Sequence, residues 1–220
     1  MQPDFWITRW QRGETGFHLD RVNDWLSRQI DALLLKPGDH VFLPLCGKSL
    51  DLRFLADRGL RVTGIELSPL AVESFFREQQ LVPTVRQHGD IAVYEHDRLR
   101  VLCGDFFALT AELLGPVDAV FDRAALVALP PEMRPRYAAR LLELLPPGAR
   151  MLLVSFDYAQ PEMNGPPFSV PQAEIRALFG PRCDIAALGR EDILEREPRF
   201  RERGLTRLVE TGWLLLRRPG

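Results

Sequence analysis

What most constrains the fold of this chain is the alternation, from residue 41 onward, of short apolar runs with helical stretches. Val41 to Leu45 reads as a buried strand, Leu50 to Arg58 as a helix stopped at Gly59, and Val62 to Glu66 as a second strand. Together they make one βαβ unit, whose strands run parallel. Ser68 is an N-cap with Pro69 at the first helical position, opening a helix through Gln80 whose Leu70, Ala71, Phe75 and Phe76 share a face. Ile91 to Glu95 and Leu99 to Leu102 flank a polar turn and read as a hairpin that ends in the third parallel strand. Val117 to Phe121 is a fourth strand, Pro131 to Leu145 a helix stopped by Pro146, Pro147 and Gly148, and Met151 to Phe156 a fifth strand. After a Pro/Gly-rich loop from Pro161 to Pro171, a helix carries Ile175, Leu178 and Phe179, and the last apolar segments close the sheet. This pattern predicts an α/β, doubly wound, mostly parallel sheet.

Residues 1–36 stand outside the alternation. Phe5, Trp6, Ile7 and Trp10, then Trp25, Leu26, Ile30, Leu33 and Leu34, predict two amphipathic helices laid against the sheet. The expected organisation is a single domain over 1–220, with 1–36 as a helical cover and 37–220 as a Rossmann-like sheet domain. Two full domains would be cramped in 220 residues.

Charge excludes some partners. With 28 basic and 30 acidic residues the formal net charge is -2, so no overall positive field draws in nucleic acid or anionic lipid. The three cysteines, Cys46, Cys103 and Cys183, lack C-x-x-C spacing and indicate neither a disulfide framework nor a metal site. No apolar run approaches membrane-spanning length, and the first turns mix Asp4, Arg9 and Arg12 with aromatics, unlike a signal-peptide core. The expected setting is the reducing cytoplasm, and a monomer is the default.

In open α/β sheets ligands bind beyond the carboxyl ends of the strands, which directs attention to three loops. After the first strand comes Pro44-Leu45-Cys46-Gly47-Lys48-Ser49, where Gly47 lets the backbone approach a ligand closely. The turn resembles the end of a phosphate-binding loop, but Phe42 stands where that loop needs its first glycine. The second strand ends in Glu66, nineteen positions after Gly47, a spacing that suits a carboxylate accepting from both hydroxyls of an adenosine ribose, or merely capping the next helix. The G-x-G-x-x-G fingerprint of dinucleotide sites is absent. That favours a phosphate-free adenosyl cofactor, S-adenosyl-L-methionine, over NAD(P). Trp6 and Trp10 are candidates to cover its adenosyl group or sulfonium, or simply to pack in the core. The fourth strand ends in Asp122-Arg123.

These residues also resemble a known family. Trp6 and Trp10, Gly16-Phe17-His18, Pro44-Leu45-Cys46-Gly47-Lys48, Gly64-Ile65-Glu66-Leu67-Ser68, Phe75-Phe76, Gly104-Asp105-Phe106-Phe107, residues 122–128 and Gly165-Pro166-Pro167-Phe168 are similar, in order, to thiopurine S-methyltransferases of the bacterial type. The resemblance implies a seven-stranded sheet of the class I S-adenosylmethionine-dependent methyltransferase type with an N-terminal helical lid. It implies that Trp6, Trp10, Leu45, Gly47, Glu66, Gly104, Asp105 and Arg123 hold the cofactor, with Glu66 at the ribose and Gly104 and Asp105 flanking the adenine. It further implies that Phe17, Arg123 and Arg199 border the acceptor, with Arg123 the catalytic residue, and that no metal takes part. The acceptor implied is a small thiol or thiopurine, with selenium or tellurium compounds, and their detoxification, as further candidates. Ser169 replaces a tyrosine carried by some relatives, which bears on acceptor preference. A thiolate attacks a methyl sulfonium directly, so proximity and alignment are the protein's main task. The rival functions are an NAD(P)-dependent oxidoreductase and a non-catalytic S-adenosylmethionine-binding protein.

Overall fold

The computed structural model describes residues 3–219. In chain order its elements are α1 (Pro3–Gln11), α2 (Asp24–Gln29), β1 (His40–Leu43), α3 (Asp51–Ala56), β2 (Arg61–Glu66), α4 (Pro69–Glu78), β3 (Thr84–His88), β4 (Ile91–His96) and β5 (Leu99–Cys103). There follow α5 (Ala111–Leu114), β6 (Ala119–Arg123), α6 (Arg134–Leu144), β7 (Arg150–Asp157), α7 (Gln172–Phe179), β8 (Cys183–Asp192), α8 (Pro198–Glu202) and β9 (Val209–Arg217).

One sheet runs in the order β3-β4-β5-β2-β1-β6-β7-β9-β8. Strands β5, β2, β1, β6 and β7 are mutually parallel, while β9 pairs antiparallel with both β7 and β8. The sheet thus has nine strands where seven were expected. The edge beyond β5 is made by β4, the hairpin strand expected over Ile91 to Glu95, and by β3, which was not expected from the sequence; they pair antiparallel next to β5. Every residue of β3 is exposed, so it lacks the apolar alternation that marks a half-buried strand.

Alternation of side chains across the pleat divides the core. Phe42, Val120, Met151 and Leu153 pack on one face beneath α5, α6 and α7. Val41, Leu43, Phe121, Leu152 and Val154 pack on the other, beneath α2, α3 and α4. Within α4 the Ser68 hydroxyl accepts from the Ala71 N–H, and Ala71, Val72, Phe75 and Phe76 are buried. Leu70, expected on that face, is 40% exposed, and Val72 takes its place. The expected helix from Pro131 begins as a 3-10 turn, Pro131–Met133, and becomes α-helical at Arg134. Trp25 of α2 lies against Gly212 of β9, and its indole Nε1 donates to Glu210 at 2.7 Å. A third, smaller cluster of Tyr158, Met163, Ile193, Leu194, Phe200, Leu205 and Leu208 supports the segment around α8.

β1 has β2 on one side and β6 on the other, so the winding reverses between β1 and β6. That switch point opens a crevice at the strands' carboxyl ends.

Candidate active site

A cavity of about 550 Å³ occupies this crevice, within the usual range for small-molecule sites. It is lined by all ten residues that the sequence singled out: Trp6, Trp10, Phe17, Leu45, Gly47, Glu66, Gly104, Asp105, Arg123 and Arg199.

The turn after β1 forms the floor. Leu45 adopts φ +48° and Gly47 φ +55°, the left-handed region that only glycine enters without steric cost. Cys46 N–H donates to Ile65 O at 2.9 Å, which pins the turn to β2. A side chain at Gly47 would place its Cβ 3.1 Å from the Trp10 indole, so glycine there lets the helix above sit directly on the turn.

Glu66, at the end of β2, is buried. Its Oε2 accepts from Gly47 N–H at 2.9 Å and its Oε1 from Ser68 N–H at 2.8 Å. Burial raises its pKa, and the amides of Ser68, Gly47 and Leu67 oppose that by favouring the carboxylate. Acceptor capacity remains for a ligand, since a carboxylate offers about four acceptor sites. After β5, Asp105 Oδ1 accepts from Phe107 N–H at 2.9 Å and caps a short 3-10 turn, while Gly104 N–H donates to Glu66 O. A Cβ on Gly104 would fall 2.8 Å from Ile91 Cγ1.

The roof is aromatic. Trp6 and Trp10 of α1 meet Phe17 edge to face at centroid distances of 5.6 and 5.4 Å. Arg123, leaving β6, donates from Nη1 to Phe17 O at 2.7 Å, and Arg199 of α8 donates to the neighbouring Gly16 O. The two guanidinium groups therefore converge on successive carbonyls of the segment after α1. No ion pair joins Arg123 to Asp122 or Asp105 among the described residues. Asp122 points away into the core, where it accepts from Tyr137 Oη at 2.7 Å and Leu126 N–H at 3.1 Å. The carboxylate exerting the strongest pull on Arg123 is Asp51.

Asp51 is one of the lining residues that sequence reasoning passed over. Buried in the first turn of α3, it accepts from Asn23 N–H at 2.8 Å and from the Ser49 hydroxyl at 2.7 Å, tying the segment before α2 to the cavity floor. The one hint in the sequence was its place two residues beyond Ser49, just after the glycine turn. Phe200 and Arg203 had no local signal, because α8 reaches the cavity only through the tertiary fold. Lys48 bonds Glu78 at 2.7 Å, not a phosphate cradle, in keeping with the missing glycine at position 42. Burial and Glu66 push the Cys46 thiol well above its ordinary pKa, and the Cys103 thiol rises to about 11, so neither is a thiolate nucleophile near neutral pH.

Donor-side requirements of an adenosyl sulfonium match these residues. They are a carboxylate with free lone pairs, one close backbone approach, aromatic faces for a cation, and no phosphate cradle. A family model described as "Thiopurine S-methyltransferase (TPMT)" matches residues 1–218. The chain belongs to the thiopurine S-methyltransferase family. It is 49% identical to a thiopurine S-methyltransferase of Nitrosospira multiformis over 99% of both chains, and 50% identical to one of Pseudomonas fluorescens over 96% of this chain and 95% of the relative. The fold is shared with more distant proteins. A 1,6-didemethyltoxoflavin-N1-methyltransferase of Burkholderia thailandensis, solved with bound 1,6-didemethyltoxoflavin and S-adenosylhomocysteine, superposes with TM-score 0.64 at 15% identity, covering 99% of this chain and 87% of that one. A SAM-dependent methyltransferase of Methanosarcina mazei superposes with TM-score 0.63 at 16% identity, covering 87% and 98%. The protein is thus a methyltransferase of this family with S-adenosyl-L-methionine as its cofactor, and the oxidoreductase reading is set aside.

Proposed function

We propose that this protein transfers the methyl group of S-adenosylmethionine to the sulfur of a small thiol, with Glu66 at the donor end of the cavity and Arg123 at the acceptor end. The observation that carries the reading is the convergence of Arg123 and Phe17 over the switch point, in one cavity with Glu66.

When bound, the cofactor supplies an electrophilic methyl on a cationic sulfur. Glu66 accepts from the two ribose hydroxyls through its free lone pairs while the amides of Gly47 and Ser68 hold the carboxylate in place. Leu45 and Gly47 bring the backbone of the β1 turn close to the donor, and Gly104 and Asp105 flank the adenine. Trp6 and Trp10 close the roof and exclude water from the reacting atoms. Arg123 favours the thiolate form of the acceptor and aligns it, with Phe17 against its apolar body and Arg199 beside it. Displacement then needs no covalent enzyme intermediate, consistent with the protonated state of Cys46 and Cys103.

Three buried, unpaired cysteines fit the reducing cytoplasm proposed for it, where a monomer is the default state. Thiopurines, other small thiols, and selenium or tellurium compounds share the soft, polarisable nucleophile this site suits. A panel of matched thiol, hydroxyl and amine acceptors with isotopically labelled donor tests the reading. Label is expected in the thiol products; transfer to the amine or hydroxyl member at an equal or higher rate would overturn it.

A further inference from the structure

Charge around the cavity is out of balance. Among the described residues its walls carry Arg9, Lys48, Arg123, Arg136, Arg199 and Arg203 against Asp51, Glu66 and Asp105, in a chain whose formal net charge is -2. The donor adds to the excess, because sulfonium and ammonium outnumber its single carboxylate. Some of the cations have partners: Lys48 pairs with Glu78, and Arg199 lies 2.9 Å from Glu197. Charge without a carboxylate partner among the described residues remains at the acceptor end.

Arg203 is the clearest case. It follows α8, and its guanidinium and that of Arg199 flank the Phe200 ring at 5.9 and 4.8 Å. Its hydrogen bonds are two long ones, at 3.4 Å, to Pro166 O, and it has no carboxylate partner among the described residues. Arg123 has Asp51, Glu210 and Glu197 to offset the repulsion of Arg199, so of the cations at this end Arg203 is the one left without a carboxylate partner among the described residues. The body of this end is apolar and aromatic, built from Phe17, Phe156, Phe200 and Pro167. Such a wall fits a flat ring, and a rim guanidinium fits a planar carboxylate bidentately.

We infer that Arg203 is a specificity residue that reads a second, fixed anionic group on the acceptor, such as a carboxylate, at the mouth of the cavity. This rests on the proposed S-methylation. Arg123 stands nearer the reacting sulfur, while Arg203 acts at the far end of the ring and distinguishes acceptors without touching the donor.

The test compares 4-mercaptobenzoate with thiophenol in the wild type, Arg203→Ala and Arg203→Glu, reading kcat and KM for each. The wild type should prefer the carboxylate acceptor, chiefly through KM. That preference should fall about five- to tenfold in Arg203→Ala and reverse in Arg203→Glu, as suits a partly exposed charge pair. A wild type that does not prefer the carboxylate, or a preference unchanged in both variants, would overturn the inference. Calorimetric binding of benzoate to protein saturated with S-adenosylhomocysteine reads the same subsite without turnover. Benzoate should bind the wild type at least fivefold more tightly than Arg203→Glu, and equal affinity would count against an anion site. Absence of turnover with both thiols would instead refute S-methylation and leave this binding result to decide whether an anion site exists.

Discussion

At the scale of single residues the account rests on Glu66 and Arg123. Glu66→Ala removes a charged acceptor whose bonds to hydroxyls are worth about 1.5–3 kcal/mol, so affinity for S-adenosylhomocysteine should fall roughly ten- to hundredfold. Because the same carboxylate accepts from Gly47 on one oxygen and from Ser68 on the other, the substitution should also lower the melting temperature, and Glu66→Gln should recover only part of that stability, since its NH2 would face one of the two N–H donors. Calorimetry on both variants separates the effects; an unchanged dissociation constant in Glu66→Ala would remove the carboxylate from the cofactor site. Arg123→Ala should reduce kcat/KM for methyl transfer about ten- to hundredfold at saturating donor. Arg123→Lys should recover part of it if charge dominates and almost none if the planar fork aligns the acceptor. Activity lost only in step with unfolding would make Arg123 a scaffold residue that merely holds Phe17 O. Both positions were legible in the sequence because each ends a parallel strand at the carboxyl edge of the sheet, where ligands bind. Asp51 was not, since a buried acid in a helix's first turn looks like any helix-start carboxylate until Asn23 is found above it.

At the scale of elements the informative piece is α1 and the segment through Phe17. Its contacts with the rest of the cavity are few and specific: Trp10 on Gly47, and the Gly16 and Phe17 carbonyls on Arg199 and Arg123. Such an element opens at low cost unless a ligand fills the space beneath it. Amide hydrogen exchange over residues 6–17 should slow markedly when S-adenosylhomocysteine is added, while exchange in β1 and β6 stays unchanged. Equal rates with and without the ligand would show a permanently packed cover. The aromatic spacing made the helix predictable, whereas its docking depended on carbonyl contacts that sequence patterns do not encode. The edge strand β3 escaped notice for the opposite reason: with all five residues exposed, it has no buried face to leave a periodic trace.

At the scale of the whole molecule, the central parallel strands were readable because both their faces are buried and their apolar runs are continuous. The same burial leaves an electrostatic signature. Asp122 sits in the core of β6, where burial lifts its pKa to about 6 although Tyr137 and the Ala125 and Leu126 amides favour the carboxylate. Below about pH 4 the side chain is protonated in both folded and unfolded chains and costs nothing; above the folded value it is ionised in both, and the buried charge opposes folding in full. Its contribution therefore worsens as pH rises through that window. Relative to Asp122→Asn, the wild type should lose on the order of 2–3 kcal/mol between pH 4 and pH 7, measured by denaturant unfolding at each pH. A difference that stays constant, or one that favours the wild type as pH rises, would contradict this burial.

The most direct test of methyl transfer to sulfur is a single turnover. Protein loaded with donor carrying a deuterated methyl group is mixed with an aromatic thiol, and both products are quantified by mass spectrometry. Equal amounts of S-adenosylhomocysteine and of thioether bearing the label on sulfur are predicted, with the rate of both reduced together in Arg123→Ala. Donor that remains intact in the presence of thiol, or label recovered on any atom other than sulfur, would contradict the account.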